Sequence, residues 1–303
     1  MIPKIMKQGR WAPWLYILPA LVIMTVSIVY PTIGTFRLSL MDDTGAHSAA
    51  TTCVVGQACW GAFENYHYAL TNPDMLLALR NNALWLLLMV PGTIAGGLFF
   101  ALLADRVRYE SIAKAIIFMP TAISFIGAGV IWRFVYDIET GGGAQIGVLN
   151  AIIVGLGGQP VTWLSDPTIN NFSLMVVGVW LWAGFCMTIL SAAIKNVSAE
   201  MLEAARVDGA NELQVFTKIL FPSITSSIIV VTTTLAIIIL KIFDVVFVMT
   251  DGNYGTEVIA NRMFRLIVTN VGQSTAIAVI LILLTIPIMV FNIRRFRSEE
   301  AAR

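Results

Sequence analysis

Long apolar runs alternate with short polar segments from one end of the chain to the other. A membrane-spanning helix needs about 20 mostly apolar residues. Six stretches meet that length: 13–40, 77–104, 112–136, 172–194, 219–249 and 273–293. They predict an all-α membrane protein of six transmembrane helices, one polytopic domain over residues 1–303. Pro19, Pro31, Pro91, Pro120 and Pro287 fall inside these runs. Membrane helices tolerate proline where neighbouring groups satisfy the freed backbone.

The first run follows Lys4, Lys7 and Arg10 and is much longer than the roughly 7–15 apolar residues of a signal peptide. No clear small-residue cleavage site follows it, so it is expected to be a retained first span.

Composition supports this reading. The 303 residues are 57% hydrophobic and 12% charged, against about 25% charged in soluble domains. A net charge of +1 gives no reason to expect a nucleic-acid partner.

Lysine and arginine favour cytoplasmic loops. They occur in the N-terminal tail, after the second run (Arg106, Arg108, Lys114), after the fourth (Lys195, Arg206, Lys218) and in the C-tail (Arg294, Arg295, Arg297, Arg303). Segments 41–76 and 137–171 contain neither residue, and Arg262 and Arg265 are the main exceptions outside. Both termini are therefore expected to be cytoplasmic in a multi-pass protein. Cys53 and Cys59 then fall in an external loop, as a disulfide or as two thiols. No set of cysteine and histidine with metal-ligand spacing is present, so no metal is expected.

One polar stretch interrupts the pattern. "EAARVDGANELQVFTKILFP", Glu203 to Pro222, lies between two very apolar runs on the expected cytoplasmic side. Ser198 is placed to cap a helix, with Glu200 in its first turn. Gly209 is placed to end that helix at positive φ. Asn211 with Gln214 has the pattern of a second cap. Phe216, Ile219 and Leu220 then form an apolar stripe at helical spacing, and Pro222 stands where the fifth span begins. Two short helices with a bend are expected. Small Ala204 and Ala205 beside carboxylates suit the docking of another protein.

The segment also resembles the EAA motif of ABC importer permeases, whose residues correspond here to Glu203, Ala204, Ala205, Asp208, Gly209, Ala210, Phe216, Ile219 and Pro222. Phe221 replaces the leucine usual before the proline. Further stretches resemble the carbohydrate branch of that family: "YILPALVIMTVSIVYPTIGTFRLSL", "FENYHYAL" with "ALRNNALWLLL", "FMPTAISFIGAGVIWRFVYD" and "FDVVFVMTDG". The resemblance looks closest to maltose and α-glucoside importers.

The resemblance implies a type I ABC transmembrane domain with its core over 77–293 and a coupling region over 198–220. It implies a bacterial or archaeal plasma membrane and a mono- or oligosaccharide substrate. The implied partners are a paralogous second permease, a cytoplasmic ABC ATPase dimer and an extracytoplasmic sugar-binding protein, with membrane lipid around the spans. ATP and magnesium would be bound by the ATPase, leaving no cofactor on this chain. Glu203 would pair with a basic group or cap backbone amides of the ATPase, Gly209 would give the bend, and Phe216 and Ile219 would fix the hairpin to its own bundle.

The residues agree that the chain is no ATPase. No G-x-x-x-x-G-K-[ST] phosphate loop occurs. Gly92 and Gly96 form a G-x-x-x-G expected to pack helices. Trp132, Trp180, Trp182 and Phe185 lie within apolar runs and are candidates to stack on a sugar, although tryptophan is common in membrane helices. Lys241 and Asp244 are either substrate-path ions or a local i,i+3 pair. Thr232, Thr233 and Thr234 are placed either to bond substrate or, as expected first, to bond carbonyls across helices.

A secondary transporter would want paired membrane carboxylates and often two inverted halves, and neither is visible. An intramembrane protease would want a buried Ser–His pair or metal ligands, and His47 and His67 both lie in the expected external loop.

Overall fold

The computed structural model describes residues 12–42, 59–141 and 143–301. It is almost entirely helical; among the described residues one short antiparallel strand pair joins Met41 to Trp60 and Asp42 to Cys59. Cys53 lies outside the described residues, as does the side chain of Cys59, so the expected disulfide falls there too.

Four helices are long and apolar enough to cross a membrane singly: Trp14–Ser39, Pro73–Ala104, Asn170–Lys195 and Val271–Arg295. The other two spans are bent pairs. Glu110–Ala122 and Phe125–Val135 meet at 100°, and Glu212–Ser223 and Thr225–Leu240 meet at 65°. The sequence expectation of continuous third and fifth helices is corrected here, and the physical reason lies in the prolines. Pro120 sits in a 3-10 turn over Met119–Ala122, after which Ser124 caps a new helix by accepting from the Gly127 amide (3.1 Å). Pro222 stands two residues before the break at Ile224. The fifth span also ends sooner than 249. The chain turns at Lys241, and Asp244–Met249 forms a separate helix.

Three prolines share a local device. Pro31, Pro91 and Pro222 each stand two residues after the end of a π-helical turn, over Thr25–Val29, Trp85–Met89 and Phe216–Leu220. Proline lacks an N–H and its ring presses on the carbonyl four residues earlier. A wider turn before it makes room for that contact.

Chain contacts divide the protein into two compact units, 1–70 with 265–280, and 71–264 with 281–303. In the first unit, Asn65 Nδ2 donates to the carbonyls of Ser39 (3.1 Å) and Met41 (2.9 Å). The helix Trp14–Ser39 is exposed from Trp14 through Ile33.

The second unit holds the hairpin and the substrate-path candidates. Its core is the packing of the second span on the fourth. Gly97 is the close approach there: a Cβ on it would stand 2.4 Å from Cys186 Cβ and 2.9 Å from the Met187 nitrogen. Gly92 and Gly96, the expected packing pair, meet the fourth span only at ordinary van der Waals distance (3.8 and 4.0 Å). Gly184 is the counterpart on the fourth span, laid against the backbone of Ile117 and Phe118.

At the opposite end from the hairpin, buried asparagines tie the loops down. Asn81 Nδ2 donates to the carbonyls of Gly255 and Glu257 (both 2.8 Å). Asn82 donates to the Leu240 carbonyl (3.2 Å) and accepts from the Ile259 amide (2.9 Å). Asn150 donates to the carbonyls of Asp137 and Val161 and accepts from the Val161 amide. A buried polar group left without its partner costs about 1–3 kcal/mol. Asn82→Ala orphans two such groups and should lower the unfolding temperature of the detergent-purified protein by several degrees in a thermal-shift assay, with no change in expression.

Candidate functional site

The polar stretch folds as its residues require. Ser198 caps the helix Ala199–Val207, accepting from the Met201 amide, and Glu200 lies in the first turn. Gly209 then takes φ +87°. Its amide donates to the Arg206 carbonyl (3.1 Å), and the Ala210 amide donates to the Ala205 carbonyl (3.0 Å). These are the two bonds of a Schellman termination. Asn211 and Gln214 complete a reciprocal capping box, at 2.9 Å in each direction, and open the next helix. The expected hairpin of two short helices is therefore present.

Phe216 packs as expected, against the buried cluster of Leu98, Ala101, Leu190 and Ile224. Ile219 does not follow the same face. It lines a groove of about 310 Å³ with Asp208, Gly209, Ala210, Gln214 and Lys218. The π turn over Phe216–Leu220 shifts the face, and Val215 and Leu220 are the residues buried instead. Glu203 and Ala204 are exposed, and Ala205 is half-buried.

Sequence reasoning missed the clamp across the bend. Arg206 Nε donates to Glu212 Oε1 (2.8 Å), and a second bond runs from Nη2 to Oε2 (3.4 Å). The Glu212 carboxylate holds the Arg206 guanidinium above its ordinary pKa. Opposite charges flanking a Gly-Ala-Asn bend were the available signal.

A second charged group sits at the base of the hairpin. Lys114 Nζ lies 2.6 Å from both Asp105 Oδ1 and Glu110 Oε1. Lys195 pairs with the same Glu110 oxygen. Ser191 Oγ donates to Asp105 (2.8 Å) and accepts from Lys114. Each residue was visible in the sequence, but their meeting depends on how three helices pack.

The aromatic candidates divide into two groups. Trp132 and Trp180 meet edge to face with ring centroids 5.7 Å apart, and Tyr136 and Trp163 extend the row. Trp182 and Phe185 meet each other at 5.5 Å, with Phe125 beside Trp182. The separation follows from helix geometry, since two positions along a helix rotate by about 200°.

Trp132 stands between two apolar cavities. One, of about 530 Å³, is lined also by Tyr136, Trp163 and Phe172; the other, of about 400 Å³, by Phe100, Pro120 and Trp180. Trp182 and Phe185 line neither of these cavities.

Lys241 is exposed and Asp244 half-buried at the turn after the fifth span. Among the described residues no ion pair joins them, so the expectation of a local pair is not met: Lys241 ends one helix and Asp244 starts another, which removes the i,i+3 geometry. The threonines bond within their own helix rather than across helices. Thr232 donates to the Ile228 carbonyl (2.7 Å) and Thr234 to that of Val230 (2.8 Å). Among the described residues no group of three His, Cys, Asp or Glu side chains is placed to hold a metal.

Comparison with known proteins gives a consistent result. The family described as "Binding-protein-dependent transport system inner membrane component" matches residues 83–295. The osmoprotective compounds uptake permease protein GgtC of Synechocystis is 48% identical over 291 residues, covering 95% of this chain and 100% of that one. The alpha-glucoside transport system permease protein AglF of Rhizobium meliloti is 43% identical over 291 residues, covering 95% and 83%. Among solved structures, a chain of a bacterial alginate ABC transporter, in complex with an alginate-pentasaccharide-bound periplasmic protein, superposes with a TM-score of 0.76. It has 20% identity and covers 93% of this chain and 92% of that chain, a likeness of fold.

Proposed function

Since the chain belongs to the family of binding-protein-dependent transport system inner membrane components, we propose that it is one of two permease subunits of an ATP-driven sugar importer, with an α-glucoside-type solute as its cargo. It is a transport subunit rather than an enzyme; ATP is hydrolysed on a separate ATPase. The observation that carries the reading is the hairpin: a self-capped, exposed element presenting Glu203, Ala204 and Asp208 just after the fourth span, Asn170–Lys195.

On this reading the ATPase dimer binds ATP and magnesium and docks on the hairpin, with a basic group of the ATPase opposite Glu203. Both termini lie in the cytoplasm of a bacterial or archaeal cell. A second, paralogous permease completes the path, and an extracytoplasmic binding protein delivers the sugar. The α-glucoside reading draws on AglF, and the Trp132–Trp180 pair supplies aromatic faces of the kind sugars stack on. Lys241, exposed after the fifth span, supplies a donor for hydroxyl groups.

The test is purification of this chain from native membranes in mild detergent, followed by reconstitution with whatever accompanies it. Recovery of a phosphate-loop ATPase and a second membrane subunit, with ATP-dependent uptake of maltose or trehalose in the presence of the binding protein, is the expected result. Solute movement by the chain alone, without ATP, would overturn it. As a smaller prediction, Trp180→Ala in the reconstituted system should raise the half-saturating sugar concentration about tenfold, reflecting roughly 1–2 kcal/mol of lost aromatic contact, while ATP hydrolysis continues.

A further inference from the structure

The hairpin alone does not explain how its displacement reaches the membrane helices, because a short capped turn can pivot on its own connections. The charged group at its base meets that requirement. Asp105 closes the second span, Glu110 and Lys114 open the first half of the third, and Ser191 and Lys195 close the fourth. Three helix ends, separate in sequence, are joined through two carboxylates, two ammonium groups and one hydroxyl.

Three features distinguish this group from ordinary surface pairs. First, the charges balance, two negative against two positive. Second, the bonds are shared: Glu110 receives both lysines, and Lys114 reaches both carboxylates and Ser191. Third, its inner members are largely shielded, with Lys114 21% and Asp105 16% exposed, so solvent and salt screen them less than they screen Lys195 at 51%.

Its position matters as well. Lys195 ends the fourth span three residues before Ser198, the cap that begins the hairpin.

Building on the importer reading, we infer that Asp105, Glu110, Lys114 and Lys195 form an ionic clasp. It fixes the root of the hairpin to the ends of the second and third spans, so that hairpin and helix ends move as one body. These are positioning residues: they act through the hairpin and touch neither nucleotide nor sugar.

The experiment uses the full transporter in liposomes and reads sugar imported per ATP hydrolysed, beside the amount of ATPase that co-purifies. Glu110→Gln and Lys195→Met are expected to assemble with ATPase at the unmodified level and to hydrolyse ATP. Imported sugar per ATP should fall about fivefold in each. Lys195→Arg, which keeps a cation within reach of Glu110 and leaves the Lys114 bridges in place, should hold most of that ratio.

Glu110→Gln and Lys195→Met variants that assemble and transport with an unchanged ratio would overturn the clasp. So would the same variants if they only lower assembly while the assembled fraction transports normally, since that pattern marks a purely structural role. A ratio that falls as far in Lys195→Arg would also overturn it. Unmodified protein that imports sugar without hydrolysing ATP would instead remove the importer reading, and the clasp with it.

Discussion

Glu203→Lys should abolish ATP-driven uptake while the protein inserts and accumulates at the unmodified level. Glu203 is exposed on the helix Ala199–Val207, and among the described residues it makes no hydrogen bond or ion pair. Its main effect within the chain is a favourable field on Arg206, which Glu212 already holds. The fold therefore has almost nothing to lose by the change. Removing one partner of a buried, hydrogen-bonded charge pair at an interface typically costs 2–5 kcal/mol or more, and a reversed sign adds repulsion. Uptake should fall by at least about thirtyfold, which corresponds to roughly 2 kcal/mol. The same variant should release the ATPase during purification. The check is transport in vesicles beside quantification of co-purified ATPase. Normal uptake would remove the hairpin from the coupling role.

Gly184→Leu should have the opposite character, a failure of folding before any question of transport. A Cβ at this position would lie 2.4 Å from the Ile117 carbonyl oxygen and 2.7 Å from Phe118 Cα. Both are backbone atoms at the bend of the third span and have no rotamer through which to yield. Overpacking of this kind typically costs 1–3 kcal/mol, occasionally more. The contact also lies where Thr121 donates to the Leu181 carbonyl (2.9 Å), so the helices cannot separate without losing that bond. The variant should show little monodisperse protein by size-exclusion in detergent. Gly155→Leu is the matched control, because its added Cβ would meet nothing within 4 Å, and it should purify normally.

The sequence made the hairpin legible almost residue by residue. Caps and positive-φ glycines act over four or five residues, so Ser198, Gly209, Asn211 and Gln214 announce their roles locally. Membrane spans are legible for a similar reason, since length and apolarity alone identify them. What stayed hidden depends on which helices become neighbours. Gly97 and Gly184 look like any other glycines in apolar runs, and only the packing of the fourth span on the second and third singles them out. Asp105, Glu110, Lys114 and Lys195 read as scattered loop charges until three helix ends converge. The breaks at Ile123–Ser124 and at Ile224 were signalled by Pro120 and Pro222, but proline alone does not distinguish a bulge from a bend. Pro31 and Pro91 take the first course and Pro120 the second. The two aromatic groups separate for a reason available in advance: Trp180 and Trp182 are two positions apart on one helix and face different ways.

The Schellman bonds at Gly209 and the reciprocal caps of Asn211 and Gln214 settle the hairpin's shape before any partner arrives. An unstructured connector would have to be ordered at each docking, at a conformational-entropy cost of about 1–2 kcal/mol for every residue fixed. Here the bend is preorganised, so association freezes little beyond a few exposed side chains. On the proposed importer reading, the free energy of closure by the ATPase is then left for displacing the spans rather than for folding the joint between them.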